Sequence, residues 1–372
     1  MDIVNREVTT NRIINILITL SLLSLMGFLF FETFIIKVVL IVISLTTFLY
    51  FYVVNHKALT KVDYTVALYI LLLNVYSNFI LHGTFLPSKH LLWPAIGLLL
   101  ATLIVNNKLN VWSIIVPFIV VSLFILIALV SGVESFQEGT FLEVNRIFIS
   151  KLLFVFVSLI TIININKNNK QRGSILFSFI FLIISFLSNS RIGLLVAMIY
   201  FIITALERWR TSKNTLITKS KKGNNKIILA VLIIGLVIIF GLLVYLFFNS
   251  RFGKVGFSSS GRVKIYLSFF NELTLKKLLL GFRSVQLDKY GHMHSSFIQM
   301  VMSTGFLSFL PLILLIIGGL KLIKQSTLLF GIYVLIILYS LVEGFMFFEI
   351  GDLLVLPLMY NSFKNNKNLD SN

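Results

Sequence analysis

The chain contains no cysteine. Disulfides, thiolate metal sites and cysteine nucleophiles are excluded with it. Charge is scarce as well: Asp, Glu, Lys and Arg make up 12% of the 372 residues, against roughly 25% in soluble domains. Acids are the smaller part of that share, 14 against 32 Lys and Arg, and histidine occurs only five times. Apolar residues take the space instead, at 58%. They come in runs of about 17–25 residues, each long enough to cross a hydrocarbon core as a helix. The fold class is therefore an all-α polytopic membrane protein. In a soluble protein the net charge of +18 would point to nucleic acid; here it points first to basic cytoplasmic loops.

The runs number twelve, at 12–31, 34–54, 63–81, 89–105, 111–131, 146–165, 173–188, 191–206, 227–248, 295–320, 327–343 and 346–363. The first lacks a small-residue cleavage site and is followed at once by another, so it reads as a retained helix and not a signal peptide. Together they form one integral membrane domain over 1–372, with helices 1–6 in 1–172 and helices 7–12 in 173–363. With a cytoplasmic N-terminus, the inside loops hold Lys57 and Lys61; Lys108; Lys167, Lys170 and Arg172; the basic segment 207–226; Lys321 and Lys324; and a 364–372 tail with Lys364 and Lys367. The outside connections hold Glu134, Glu138, Glu143, Glu343, Glu349 and Asp352. The positive-inside rule favours this orientation, with both termini cytoplasmic.

One connection departs from the rule. Residues 249–294 fall outside, between helices 9 and 10, yet carry eight Lys or Arg against Glu272 and Asp288. Long loops are translocated regardless of charge, and Lys276 and Lys277 would suit anionic headgroups; alternatively, the loop handles an anionic substrate at the outer leaflet. Within it, Val263, Tyr266, Leu267, Phe270 and Leu273 recur at helical spacing in 260-SGRVKIYLSFFNEL-273, after possible caps at Ser258 to Ser260. This predicts an amphipathic interfacial helix with Arg262 in its first turn, either snorkelling or adding its charge to a phosphate site at the helix start.

A second polar knot joins spans seven and eight in 181-FLIISFLSNSRIGLLVAMIY-200. Ser188, Asn189 and Ser190 can cap the next helix and place Arg191 at its start. A guanidinium so near hydrocarbon is either a headgroup anchor or part of an anion site. The histidines form a third knot. In 290-YGHMHSSFIQMVMSTGFLS-308, His294 is followed by Ser295, a nine-residue spacer and Gly305.

These pieces resemble, in order, the motifs of the O-antigen ligase and O-antigen polymerase superfamily of membrane glycosyltransferases. The 188-SNSRIG-193 junction is similar to its Ser-x-Ser-Arg-Gly turn, and 260-SGRVKIYLSFF-270 to its external Gly-Arg helix. The 279-LLGFRSVQ-286 stretch resembles its LLGxGxG segment, and His294 with Gly305 its histidine signature. Arg283 and Val285 stand where the pattern has glycine, Ser308 replaces a second glycine, and Ile192 separates Arg191 from Gly193. The resemblance covers about 175–360; the six N-terminal spans match only as hydrophobic bulk.

The resemblance implies a metal-independent, cofactor-free transfer at the outer face of the cytoplasmic membrane, from an undecaprenyl diphosphate-linked oligosaccharide to an acceptor hydroxyl. His294 would be the base; Arg191 and Arg262 would offset charge on the leaving diphosphate. His292, Arg283, Arg251, Lys264, Glu343 and Glu349 are possible pocket residues, though each reads equally as a surface charge, a pocket neighbour or half of an ion pair. His56, His82 and His90 read as structural. Implied partners are membrane lipids and a flippase and chain-length regulator of the same pathway, and no nucleic acid. A repeat-unit polymerase of a capsule, exopolysaccharide or O-antigen pathway is favoured over a ligase. A flippase or secondary carrier is the competing class; it would need a cavity through the membrane centre lined by charges such as Lys37, and the two halves of the chain show no internal repeat.

Overall fold

The computed structural model describes residues 2–31, 59–86, 89–130, 146–168, 175–188, 190–216, 262–284 and 295–364, with scattered positions between 39 and 53. Among them the regular structure is helical throughout, without strands. The helices are α1 (Asp2–Phe31), α2 (Lys61–His82), α3 (Leu92–Val105), α4 (Trp112–Val130), α5 (Arg146–Asn168), α6 (Ile175–Leu187), α7 (Arg191–Leu216), α8 (Arg262–Glu272), α9 (Leu275–Leu280), α10 (Ser296–Thr304), α11 (Phe309–Gln325), α12 (Thr327–Val342) and α13 (Asp352–Lys364).

Among the described residues, four helical segments are long and apolar enough to cross a membrane: Lys61–His82, Ile147–Lys167, Arg191–Arg210 and Ser296–Gln325. Five shorter apolar helices accompany them. Their length and composition fit a bilayer, and a helix closes the backbone hydrogen bonds that hydrocarbon cannot satisfy. Burial then sorts them: 83% of the α5 window is buried inside the protein, against 17% for α2. Helix α5 is accordingly the central post, packed by α4, α6, α7 and α13, and α2 is peripheral. Phe154 and Phe156 of α5 are fully buried; around Phe154 stand the rings of Phe181, Tyr200, Tyr339 and Phe345, at centroid distances of 5.7–6.2 Å.

Several expected spans are redrawn. The first helix begins at Asp2 rather than Arg12. The tenth span, expected to end at 320, runs to Gln325 and is interrupted by a 3-10 turn at Gly305–Ser308. The twelfth, expected from 346, begins only at Asp352, because 343–351 forms an irregular connection. The ninth span (227–248), the 131–145 loop and most of the second span lie outside the described residues, as does Lys37.

The helix ends fall into two sets. One end of the bundle gathers the starts of α5, α7, α10 and α13 with the finish of α12, as the contacts below establish. The opposite end carries Lys108, Lys167, Lys321 and Lys324 in or just beyond last turns. There Asn15 of α1 ties the 106–113 loop, donating to the Lys108 carbonyl at 3.1 Å and accepting from the Asn110 amide at 2.6 Å and the Ser113 hydroxyl at 2.8 Å.

Candidate functional site

The junction of α6 and α7 forms as its polar residues dictate. Arg191 is the first residue of α7, and the Ser190 hydroxyl before it accepts the Gly193 amide at 3.3 Å, satisfying one of the unpaired N–H groups of a helix start. Ser190 Oγ also lies 2.8 Å from Ser150 Oγ of α5, and Ser150 in turn donates to the Ile147 carbonyl at 2.9 Å and accepts from the Tyr339 hydroxyl at 3.1 Å. With its own proton spent on Ile147, Ser150 must receive Ser190's. Gly193 lets the two helices approach this closely: a Cβ there would sit 2.2 Å from Ser150 Oγ. The Arg191 side chain is exposed beyond this buried hydroxyl cluster.

Tyr339 begins a run of three consecutive residues at the end of α12 that receives three separate elements. Tyr339 reaches Ser150 and so the Arg191 helix start. The Ser340 carbonyl accepts from the Ser295 hydroxyl at 3.4 Å, and Ser295 directly follows His294. The Leu341 carbonyl accepts from the Tyr266 hydroxyl of α8, one helical turn from Arg262. Segments as far apart in sequence as Ser190 and Ser295 thus dock on one turn of α12.

The amphipathic helix forms as Arg262–Glu272. Ile265 and Phe269 are buried, together with Phe282, Ile298 and Met302, while Leu267 and Phe270 face outward. The outward apolar side chains fit a helix at a membrane interface. Lys264 and Arg283 are exposed. Next to Arg283, Ser284 donates to Glu272 at 2.8 Å, and Lys277 pairs with Glu272 at 3.6 Å and stands over the Phe282 ring at 4.8 Å.

The two glycines on either side of the histidine segment interlock. Gly281 (φ 77°) and Gly305 (φ 55°) both adopt positive φ, and a Cβ on Gly305 would lie 2.4 Å from the Leu279 carbonyl oxygen and 2.5 Å from the Gly281 nitrogen. Phe282 N donates to the Met302 carbonyl at 2.7 Å, closing the contact. Ser308 is buried and donates to the Gly305 carbonyl at 2.6 Å. It is a component of the turn and closes the local bend with that hydrogen bond.

Below the α12 end, the 343–351 connection holds a buried charge cluster. Glu343 is 5% exposed and Asp352 7%. Both Asp352 carboxylate oxygens accept backbone amides, from Phe347 at 3.0 Å and Phe348 at 2.6 Å; those two residues have φ of 62° and 65°. Consecutive left-handed phenylalanines are costly, and the carboxylate holds them there. Facing the connection is Lys151 of α5, which is 9% exposed and donates to the Gly344 carbonyl. Glu349 and Glu343 are the carboxylates whose fields reach it. Burial raises the Glu349 carboxyl above its ordinary range, and Lys151 opposes the rise. Beside Gly344, a Cβ would find Glu349 Oε1 at 3.7 Å and Gln299 Oε1 at 3.8 Å, so the Gln299 amide of α10 reaches the same spot. Finally, Ser296 at the start of α10 accepts the Phe345 and Met346 amides at 2.7 and 2.9 Å.

Of the residues expected at the site, Arg191, Lys264, Arg283, Glu343 and Glu349 are placed as above. Helix α8 starts at Arg262, whose side chain, like His292, His294 and Arg251, lies outside the described residues. Sequence reasoning passed over Lys151, Asp352 as a cap, and Gln299. A lysine within the apolar run 147–163 was the available signal, since an ammonium is rarely left inside a span without a partner. Comparison with protein-family models, with curated proteins and with solved structures gives no match for this chain.

Proposed function

We propose that this protein is a membrane glycosyltransferase that polymerises lipid-linked oligosaccharide repeat units. In this reading twelve helices span the cytoplasmic membrane, both termini are cytoplasmic, and the charged end of the bundle faces outward. The basic opposite end, with Lys108, Lys167, Lys321 and Lys324, supports that orientation. The observation that carries the reading is the docking of the Arg191 helix start, the Ser295 segment beside His294 and the α8 helix of Arg262 on Tyr339, Ser340 and Leu341. The elements that carry or adjoin the motif residues come from separate parts of the chain, and a single site is the simplest reason for their docking on one turn of α12.

The chemistry follows from the groups. An acceptor sugar hydroxyl attacks the anomeric carbon of the donor, and the bond from that carbon to the diphosphate oxygen breaks. His294 takes the hydroxyl proton; Arg191 and Arg262 offset the charge left on undecaprenyl diphosphate, aided by the N–H groups of the α7 start. Glu343 and Glu349 are suited to orient cations or sugar hydroxyls. The acceptor in a polymerase is a second lipid-linked unit; a ligase would use a terminal acceptor.

The test is the lipid-linked glycan profile of His294→Ala. Polymer disappears and single repeat units accumulate at the outer face. Normal polymer would remove the histidine assignment, and units retained on the cytoplasmic side would favour the flippase reading.

A further inference from the structure

Lys151 takes no part in the transfer as described. It stands near the start of the most buried of the four membrane-length helices, 9% exposed, and an ammonium held there is costly unless its hydrogen bonds and field partners are fixed. Its partners lie on one short connection: the Gly344 carbonyl accepts its proton, and Glu349 and Glu343 supply the field. The next two amides of that connection, Phe345 N and Met346 N, both end on the Ser296 hydroxyl, which also donates to the Glu343 carbonyl at 3.4 Å. Ser296 and Ser295 are 0% and 1% exposed. A continuous polar path therefore runs from the central helix to the first turn of α10.

We infer that Lys151 is a positioning residue: it clamps the 343–351 connection at Gly344, and the connection, through Ser296, fixes the start of α10, to which His294 is joined by Ser295. The clamp stands on contacts alone. Its consequence for transfer rests on the proposed transferase reading.

A lysine that merely fills space and a lysine that clamps differ in what replaces it. Methionine keeps the length and apolar bulk of the stem but neither donates nor carries charge, whereas arginine keeps both properties with a different shape. Because the chain contains no cysteine, Ser295→Cys supplies a unique thiol at a buried position. Labelled in intact membranes with a water-soluble maleimide and normalised to the amount of protein inserted, this thiol is expected to be protected. Adding Lys151→Met is expected to speed its labelling by about tenfold through local opening of the α10 start, and adding Lys151→Arg to leave it protected. A thiol that stays protected beside Lys151→Met overturns the clamp. Equal exposure with Met and Arg overturns it too, because packing volume would then be what matters. If Lys151→Met does not insert, Ser296→Ala in the Lys151 background cuts the same path at its other end: it must expose the thiol, and protection there overturns the inference.

In the transfer assay Lys151→Met is expected to lower kcat by roughly 100-fold with KM for the lipid-linked donor held, as misplacement of a reacting group does. The two readings fail separately. Normal polymer from His294→Ala removes the histidine assignment, and with it the clamp's consequence for transfer, and leaves the clamp standing; a protected Ser295→Cys beside Lys151→Met sinks the clamp and leaves the transferase reading.

Discussion

Two polar layers among the described residues are built on opposite principles. Midway along the bundle, Thr161 and Tyr200 hydroxyls meet at 2.7 Å and Ser178 and Thr204 at 3.1 Å. Each of these is uncharged, and three of the four also bond a carbonyl of their own helix: Thr161 to Val157, Ser178 to Ile175 and Thr204 to Tyr200. Tyr200 reaches the Val157 carbonyl across the interface. About 15 Å along α7, at its Ser190 end, the second layer mixes hydroxyls with Lys151, Glu343, Glu349 and Asp352. Hydroxyls can be satisfied by the helix that carries them, so the middle of the bundle admits them at little cost. Charges need free backbone groups, which helix interiors do not offer and the irregular 343–351 connection does. Among the described residues, Lys151 and Asp352 are buried at this end and take their hydrogen bonds from that connection.

Asp352→Ala attacks the charged layer at its firmest point. Two charge-assisted bonds to Phe347 and Phe348 are lost while both residues remain in left-handed conformations, so stability should fall by roughly 3 kcal/mol or more. Thermal unfolding in detergent reads this directly, and a change of under about 1 kcal/mol would mean the connection is held by packing instead.

Glycines sharpen the contrast within that end. Gly305→Ala drives a methyl to 2.4 Å from the Leu279 carbonyl at a positive φ and should cost about 2–3 kcal/mol. Gly344→Ala meets only ordinary contacts, the nearest at 3.7 Å, and should stay within about 0.5 kcal/mol. Comparable losses at both sites would show that the connection is as tightly packed as the interlocked glycine turn.

The neutral layer should yield least. Tyr200→Phe removes the hydroxyl shared with Thr161 but leaves Thr161 bonded to Val157, and the expected loss is roughly 0.6 kcal/mol. A loss above about 2 kcal/mol in the same unfolding assay would make the middle layer as demanding as the end and collapse the distinction drawn between them.

Much of the local architecture was legible in the residues. The 188–191 junction read as a cap followed by a helix start because serine hydroxyls compete for backbone amides there, and Ser190 does take the Gly193 amide. The amphipathic helix expected over 260–273 forms as Arg262–Glu272 because its apolar spacing matches 3.6 residues per turn. Residues 346–351 of the 343–351 connection were misread as the opening of a span. Its run of Phe, Met and Ile has the composition of a membrane helix, and composition carries no sign that the Asp352 carboxylate captures two amides and holds them out of helical geometry. Lys151 was missed for a related reason: its partners lie 192 to 198 residues further along the chain, and no local pattern points to them.

By itself, the sequence determined that this chain is helical, apolar over membrane-length segments and basic at one set of helix ends, since length, periodicity and charge act over a single turn or a single span. Only the tertiary structure decided that Gly281 and Gly305 interlock, that Ser308 closes the turn onto the Gly305 carbonyl, and that Lys151 reaches Gly344. Those contacts depend on which helix ends come to lie side by side, and a buried charge or a missing Cβ acquires its meaning from the neighbour it meets.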